Sequence, residues 1–153
     1  MKAIAVFEAL PANSPNCFEM IELETPVSSG RDIFVRIDAI AINPVDSKER
    51  LGITGRLDEP LILGWDTCGE VISVGEDVQN FKPGDMVISA GDITRQGCYA
   101  EYQLLDERIV GRKNPLGFPM KKPQLCRSPL LLPGNHCLTV WKFPAMTRIA
   151  RLF

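Results

Sequence analysis

The chain has 153 residues, 45% of them apolar, a formal net charge of −2 and a single histidine. That length suits one domain, or one domain with an appendage, and the apolar share is enough for a core. No apolar run approaches the ~20 residues of a membrane helix, and Met1 to Phe7 runs straight into polar sequence, as a first strand does and a signal peptide does not.

In chain order, residues 3–6 and 18–23 are expected strands around a turn rich in Pro11, Asn13, Pro15 and Asn16. Residues 32–42 alternate, which places Ile33, Val35, Ile37, Ala39 and Ala41 on one face. Asn43 then suits a helix cap and Pro44 a first helical turn, so one short helix is predicted up to Gly52. Residues 61–63, 69–74, 86–89, 98–104 and 108–110 are the remaining expected strands. Within residues 69–74, alternation sets Val71 and Ser73 opposite Glu70, Ile72 and Val74. Gly75 opens a turn, Val78 and Phe81 supply apolar anchors, and Pro83-Gly84-Asp85 makes a second turn. Many short strands with turns between them predict a mainly β domain, a small barrel or sandwich.

Composition breaks near Lys113. Residues 1–113 hold all 19 acidic residues and 11 basic ones, a net −8, whereas residues 114–153 hold 6 basic residues and no acid. Half of the 12 prolines and His136 also fall in this tail, which shows no helical or strand period and is expected to be irregular. Its positive charges are spread out without a basic cluster or aromatic interleaving, so no nucleic-acid partner is expected. The five cysteines (17, 68, 98, 126 and 137) are scattered and odd in number, which argues against a closed disulfide set and for a reducing cytoplasm.

The run from Gly64 to Val87, GWDTCGEVISVGEDVQNFKPGDMV, resembles the signature of the medium-chain dehydrogenase/reductase superfamily, in its GroES-like N-terminal domain. Gly64, Asp66, Gly69, Val71, Val74, Gly75, Val78, Phe81, Gly84, Asp85 and Val87 fill the fixed places. Gly97-Cys98-Tyr99-Ala100-Glu101-Tyr102, the start Met1-Lys2-Ala3 and the Asn43–Asp46 box extend the resemblance over about 110 residues, with the quinone-reductase-like branch (often called zinc-type alcohol dehydrogenase-like) as the nearest match. The resemblance implies a GroES-like partial β-barrel with one or two short helices over residues 1–113, and an NADPH-dependent reductase acting on a small quinone or carbonyl (enone) substrate. It leaves a homo-oligomer open and implies no membrane partner. The Rossmann domain that should follow is not in this chain: no G-x-G-x-x-G or A-x-x-G-V-G run occurs. The chain is therefore expected to be an N-terminal fragment, inactive by itself. A stand-alone GroES-like binding or structural module, or half of a split reductase, are the alternatives.

The tail also bears on that expectation. Read one nucleotide earlier, its codons can encode a stretch containing Pro-Leu-Thr and Thr-Ala-Trp-Glu, which resembles the family's linker. In that frame Met120 before Lys121, and Trp141 before Lys142, each force a Glu. Residues 114–153 are accordingly expected to be a frameshifted or truncated linker, with a divergent natural tail as the alternative.

In zinc-dependent members of the family the metal ligands are a Cys just after the third long strand and the His of a Gly-His-Glu box. Here those places hold Asn43 and Gly64-Trp65-Asp66, and neither an amide nor an indole ligates zinc, so no metal is expected. In the zinc-free reductases the place of Asn43 lies in the cleft near the nicotinamide, where its amide can position a cofactor or a carbonyl oxygen. The alternative for Asn43 is a plain helix cap. Asp46, Ser47, Lys48 and Trp65 are further cleft candidates, against a solvated lysine and a packed indole. Asp66 is expected to brace a loop, Cys68 to be a buried inert thiol, and Tyr99 and Tyr102 to be core or strand-face residues.

Overall fold

The structure is a computed structural model that describes residues 1–112 and the backbone of Val140–Lys142. Its main element is the antiparallel pair of β3 (Asp32–Ala41) and β5 (Asp66–Val74). On one side β5 carries β6 (Met86–Ser89), which in turn carries β8 (Val110–Arg112). On the other side β3 pairs with β7 (Tyr102–Asp106) along its first half. A second sheet sets β1 (Lys2–Glu8) between β2 (Glu19–Glu22) and β4 (Arg56–Ile62). One α-helix, α1 (Pro44–Leu51), and one 3-10 turn, Glu107–Ile109, complete the described residues. This mainly β, two-sheet arrangement is the expected GroES-like partial barrel. The tail, expected to be irregular, adds one short strand, β9 (Val140–Lys142), on Ala39–Ala41 of β3; the rest of the tail lies outside the described residues.

Two apolar cores form, and the signature run explains one of them. Val71, Val74, Val78, Phe81 and Val87 converge with Ile33, Val35, Leu105 and Val110. The other core lies between the sheets and gathers Ala3, Ile4, Ala5 and Val6 of β1 with Ile37, Ile40, Leu63, Trp65 and Tyr99.

Simple alternation does not survive in β3 and β5. The register steps between Ile33↔Val74, Phe34↔Ser73 and Val35↔Val71 leave Ile72 unmatched, and those between Ile37↔Gly69 and Ala39↔Cys68 leave Asp38 unmatched. Each is a bulge, which inserts one residue and reverses the facing of those beyond it. Val71 and Val74 therefore share one core, contrary to their expected opposite faces, and Ile72 is exposed. Likewise Ile40, not Ala39 or Ala41, joins Ile37 in the other core. Gly69 stands beside the second bulge because a Cβ there would lie 2.1 Å from the Arg36 carbonyl oxygen.

The expected strand over residues 98–104 is two things. Tyr102 onward is β7, whereas Cys98–Glu101 links the sheets: Ile4 N–H donates to Tyr99 O (2.7 Å), Tyr99 N–H to Leu63 O (3.0 Å) and Ile37 N–H to Glu101 O (3.0 Å). These bonds set Tyr99 beneath the start of α1. Strand β4 begins five residues earlier than the expected residue 61, at Arg56. Its Asp58, Glu59 and Pro60 read as loop in sequence, but β4 is an edge strand, where charge and proline are tolerated.

Candidate functional site

The site is built where β3 ends, α1 begins and β5 starts. Asn43 stands at the N-cap of α1 with extended dihedrals (φ −121°, ψ 159°). Its side chain faces the helix as in a capping box, but the hydrogen bond it makes goes elsewhere: Nδ2 donates to Asp66 Oδ2 at 2.6 Å. The capping bond is supplied in reverse, by Asn43 N–H donating to Asp46 Oδ2 at 2.9 Å. Tyr99 Oη donates to the same Asp46 oxygen at 2.9 Å. Asn43, Asp46 and Tyr99 are all buried. The four side chains thus form one run, Tyr99 to Asp46, back to the Asn43 backbone, and from the Asn43 amide to Asp66.

Gly64 makes this run fit. Its φ is +88°, a left-handed value that favours glycine, and a Cβ at that position would lie 2.3 Å from Tyr99 Cε1.

Burial pushes the Asp46 carboxyl above the ordinary carboxylate range; the Asn43 N–H and the Tyr99 hydroxyl pull it back in part, and Asp66 pushes it further up. The Tyr99 hydroxyl is held far above its usual range by burial and by the neighbouring Asp46 charge, so it serves as a fixed donor. Cys98, fully buried nearby, has its thiol pushed well up by burial and by Asp46 and Asp66, which removes it as a nucleophile. An amide held as Asn43 is can orient a neighbouring carbonyl or carboxamide, but it does not carry a titrating proton.

The structure brings Asn43, Asp46 and Asp66 together, and Asp66, expected to brace a loop, meets this corner through its side-chain bond with the Asn43 amide. Trp65 is 6% exposed and packs in the inter-sheet core, and its Nε1 has no partner among the described residues. Lys48 is exposed on α1. The cation at this corner is Arg50, which is buried, lies over the Phe18 ring at 5.4 Å and donates to the Leu10 carbonyl. Sequence reasoning missed Arg50 and Tyr99. The only signal for Tyr99 was its place in the Gly97–Tyr102 motif, and Arg50 looked like one more charge on a polar helix. Cys68 is buried, and Tyr102 stacks on Phe34 at 5.0 Å. His136 lies outside the described residues.

Among the described residues no three of His, Cys, Asp and Glu come together to hold a metal ion. At the corner itself stand the Asn43 amide, the Trp65 indole and the carboxylates of Asp46 and Asp66, with no imidazole beside them among the described residues. No helix among the described residues is long and apolar enough to cross a membrane.

Comparison with known proteins agrees with this fold. Residues 29–115 match the alcohol dehydrogenase GroES-like domain. A zinc-type alcohol dehydrogenase-like protein of Staphylococcus aureus (strain COL) is 39% identical over 113 residues, covering 73% of this chain and 33% of that protein. The structure of the quinone oxidoreductase from Coxiella burnetii superposes with a TM-score of 0.64 at 32% identity, over 74% of this chain and 37% of that one. A mycobacterial protein solved in complex with NADPH superposes with a TM-score of 0.60 at 27% identity, over 73% of this chain and 33% of that one. The chain spans about a third of the length of the curated relatives it matches. Signature, two-sheet fold and these likenesses agree that the chain belongs to the alcohol dehydrogenase GroES-like domain family, in the quinone-oxidoreductase-like part of the medium-chain dehydrogenase/reductase superfamily.

Proposed function

We propose that residues 1–113 are the substrate-side domain of a zinc-independent reductase that uses NADPH to reduce a small quinone or enone. The observation that carries this reading is the Asn43 Nδ2 bond to Asp66 Oδ2 at 2.6 Å. It joins Asn43, at the place of one expected zinc ligand, to the residue that follows Trp65, at the place of the other, and it does so with an amide and a carboxylate. NADPH, when bound, supplies the hydride; the NADPH complex of a structural relative supports that cofactor. The part played by this chain is orientation. Asn43 positions the substrate oxygen or the carboxamide of the cofactor, Asp46 and Tyr99 hold Asn43 in place, and Trp65 walls the corner. Lys48, exposed on α1, is left to meet substrate or phosphate at the mouth.

Nothing in residues 1–153 resembles the glycine-rich turn that cradles a pyrophosphate. The dinucleotide-binding unit has to come from a longer form of this polypeptide or from a separate chain, and the 153-residue chain alone is inactive. Residues 114–153 belong to the same proposal as a frameshifted or truncated linker. The buried thiols of Cys17 and Cys98 suit a reducing cytoplasm.

The test is NADPH oxidation by the 153-residue chain with duroquinone as acceptor. Absorbance loss at the rate of the protein-free blank is expected. Sustained, protein-dependent turnover would overturn the fragment reading. Sequencing the gene through codon 113 checks the tail independently. One inserted or deleted base that restores Thr-Ala-Trp-Glu and a downstream glycine-rich turn is the expected result, and an intact frame with no such turn would overturn it.

A further inference from the structure

Strand β3 is paired with β5 along one flank, but on its other flank it changes partner midway. There β7 takes only Asp32–Arg36, and the Ile37 N–H donates to the Glu101 carbonyl. From Ala39 to Ala41 the flank has one partner among the described residues, the backbone of β9. Ala39 stands opposite Lys142, Ile40 opposite Trp141 and Ala41 opposite Val140. Two features make this stretch a place where a strand can be added. Its residues carry no charge and no proline, and two of the three are alanines that leave room for an incoming backbone. The edges of the other sheet are guarded, β2 by Glu19 and Glu22, β4 by Arg56, Asp58, Glu59 and Pro60. The resident β9 is three residues long and pairs with β3 alone, a ladder short enough to open.

We infer that Ala39–Ala41 is a strand-addition site whose partner is Val140–Lys142 of a second copy of this chain, in the antiparallel register that β9 shows. The tether does not decide whose strand fills it. In the sheet, β8 and β3 are separated by β6 and β5, roughly 15 Å at the usual strand spacing, whereas residues 113–139 fully extended reach roughly 90 Å. A connection that long returns its strand to its own copy at an effective concentration on the order of a millimolar or less, so a second copy competes at such concentrations. Exchange of an identical element then forms a dimer without any new kind of contact. Charge favours the meeting: residues 1–113 carry a net −8, and residues 114–153 hold 6 basic residues and no acid. The register also sets Lys142 opposite the residue after Asp38, a half-buried carboxylate with no ion pair among the described residues. The added strand borders the corner described above, because Ala41 is two residues before Asn43. No cofactor or substrate is involved, so the site stands whether or not the reductase reading does.

The test is NMR titration of the 15N-labelled 153-residue chain carrying both Val140→Pro and Trp141→Pro. Neighbouring residues of an antiparallel strand turn their N–H groups to opposite sides, so replacing both removes whichever one faces β3 and leaves β3 itself untouched. Unlabelled wild type should give saturable shifts at the amides of Ala39, Ile40 and Ala41, with half-saturation at or below about 2 mM. The capped peptide Leu-Thr-Val-Trp-Lys-Phe, residues 138–143, has no β3 of its own to return to and should shift the same amides at about tenfold lower concentration. The same peptide N-methylated at Val and Trp keeps its side chains and loses those N–H groups, so it should bind at least about tenfold more weakly than the plain peptide. In labelled wild type the peptide has to displace β9, so the same shifts should need about tenfold more of it. No response to the peptide, or an equal response to its N-methylated form, overturns the strand-addition site. Equal peptide affinity for the wild type and the double-proline variant overturns the exchange. A response to the peptide with none to unlabelled wild type up to about 2 mM overturns the second copy as partner.

Discussion

Tyr99 and Asp46, 53 residues apart in sequence, are joined by a 2.9 Å hydrogen bond in the interior of the domain. The bond ties the stretch that links the two sheets to the first turn of the only α-helix among the described residues. It is therefore part of the scaffold behind Asn43 as well as a contact of its own.

Removing that hydroxyl should be felt as a loss of stability without a change of fold. Tyr99→Phe leaves the ring in place and deprives a buried carboxylate of one of its two donors, a cost of about 1–3 kcal/mol. Urea unfolding should show a lower midpoint with an unchanged slope. An unchanged midpoint would mean that the bond is replaced by solvent.

Asp46 itself should make the domain prefer acid. Its folded-state pKa is raised above the unfolded value, chiefly by burial. The unfolded chain thus ionises first as pH rises, and the Asp46 contribution to stability, fully present below the unfolded pKa, is lost as pH climbs through the folded pKa. Other carboxylates act in the opposite sense, so the measurement is the difference between wild type and Asp46→Asn. That difference should move against the wild type as pH rises from below the unfolded pKa, and level off above the folded one. A flat difference would refute the raised pKa.

Glu107 should show the opposite sign. Its buried side chain accepts from Asn80 N–H (3.0 Å), Gln79 N–H (3.1 Å), Asn80 Nδ2 (3.2 Å) and Arg31 Nη1 (2.9 Å). The Asn80 N–H leads the groups that hold its carboxyl below the ordinary range. Its contribution is therefore present above the unfolded pKa and disappears as pH falls through the folded one. Glu107→Gln should lower the melting midpoint clearly at pH 7, and the gap from wild type should close by pH 2. Thermal melts at both pH values decide it.

Gly64 should tolerate no side chain. Alanine there meets both a left-handed φ of +88° and the Tyr99 ring, with Cβ 2.3 Å from Cε1. Backbone strain and overpacking together should cost about 2–4 kcal/mol. Gly84, with a similar φ of +90° and nothing within 4 Å of the place a Cβ would take, is the control that separates the two effects. Gly84→Ala should cost about 1–2 kcal/mol, the backbone share alone. Equal losses in the two variants would show that the Tyr99 contact contributes nothing.

The sequence made the fold legible wherever chemistry repeats at short range. Val71, Val74, Val78, Phe81 and Val87 carry the resemblance to a GroES-like domain, and all five meet in one core, although alternation had set Val71 and Val74 on opposite faces. Pro44 after Asn43 located the helix start to the residue. What was not legible depends on partners far along the chain. The bulges at Asp38 and Ile72 are set by the pairing of β3 with β5, and no local pattern announces them. Tyr99 looked like any strand tyrosine because Asp46 is 53 residues away. Arg50 is buried only because Phe18 and the Leu10 carbonyl fold over it. Asn43 was legible as the residue that starts the helix, but no local pattern announces the bond from its amide to Asp66.

The path of β3 has a consequence for how the molecule comes apart. The strand sends Ile33 and Val35 into one core and Ile37 into the other, and the bulge at Asp38 turns Ile40 into that second core as well. Neither core can loosen without withdrawing support from the same strand. Amide protons of β3 should therefore exchange with solvent only through global opening, and the two cores should report a single protection free energy. A domain with two apolar centres would then behave, in hydrogen exchange, as one cooperative body hinged on ten residues.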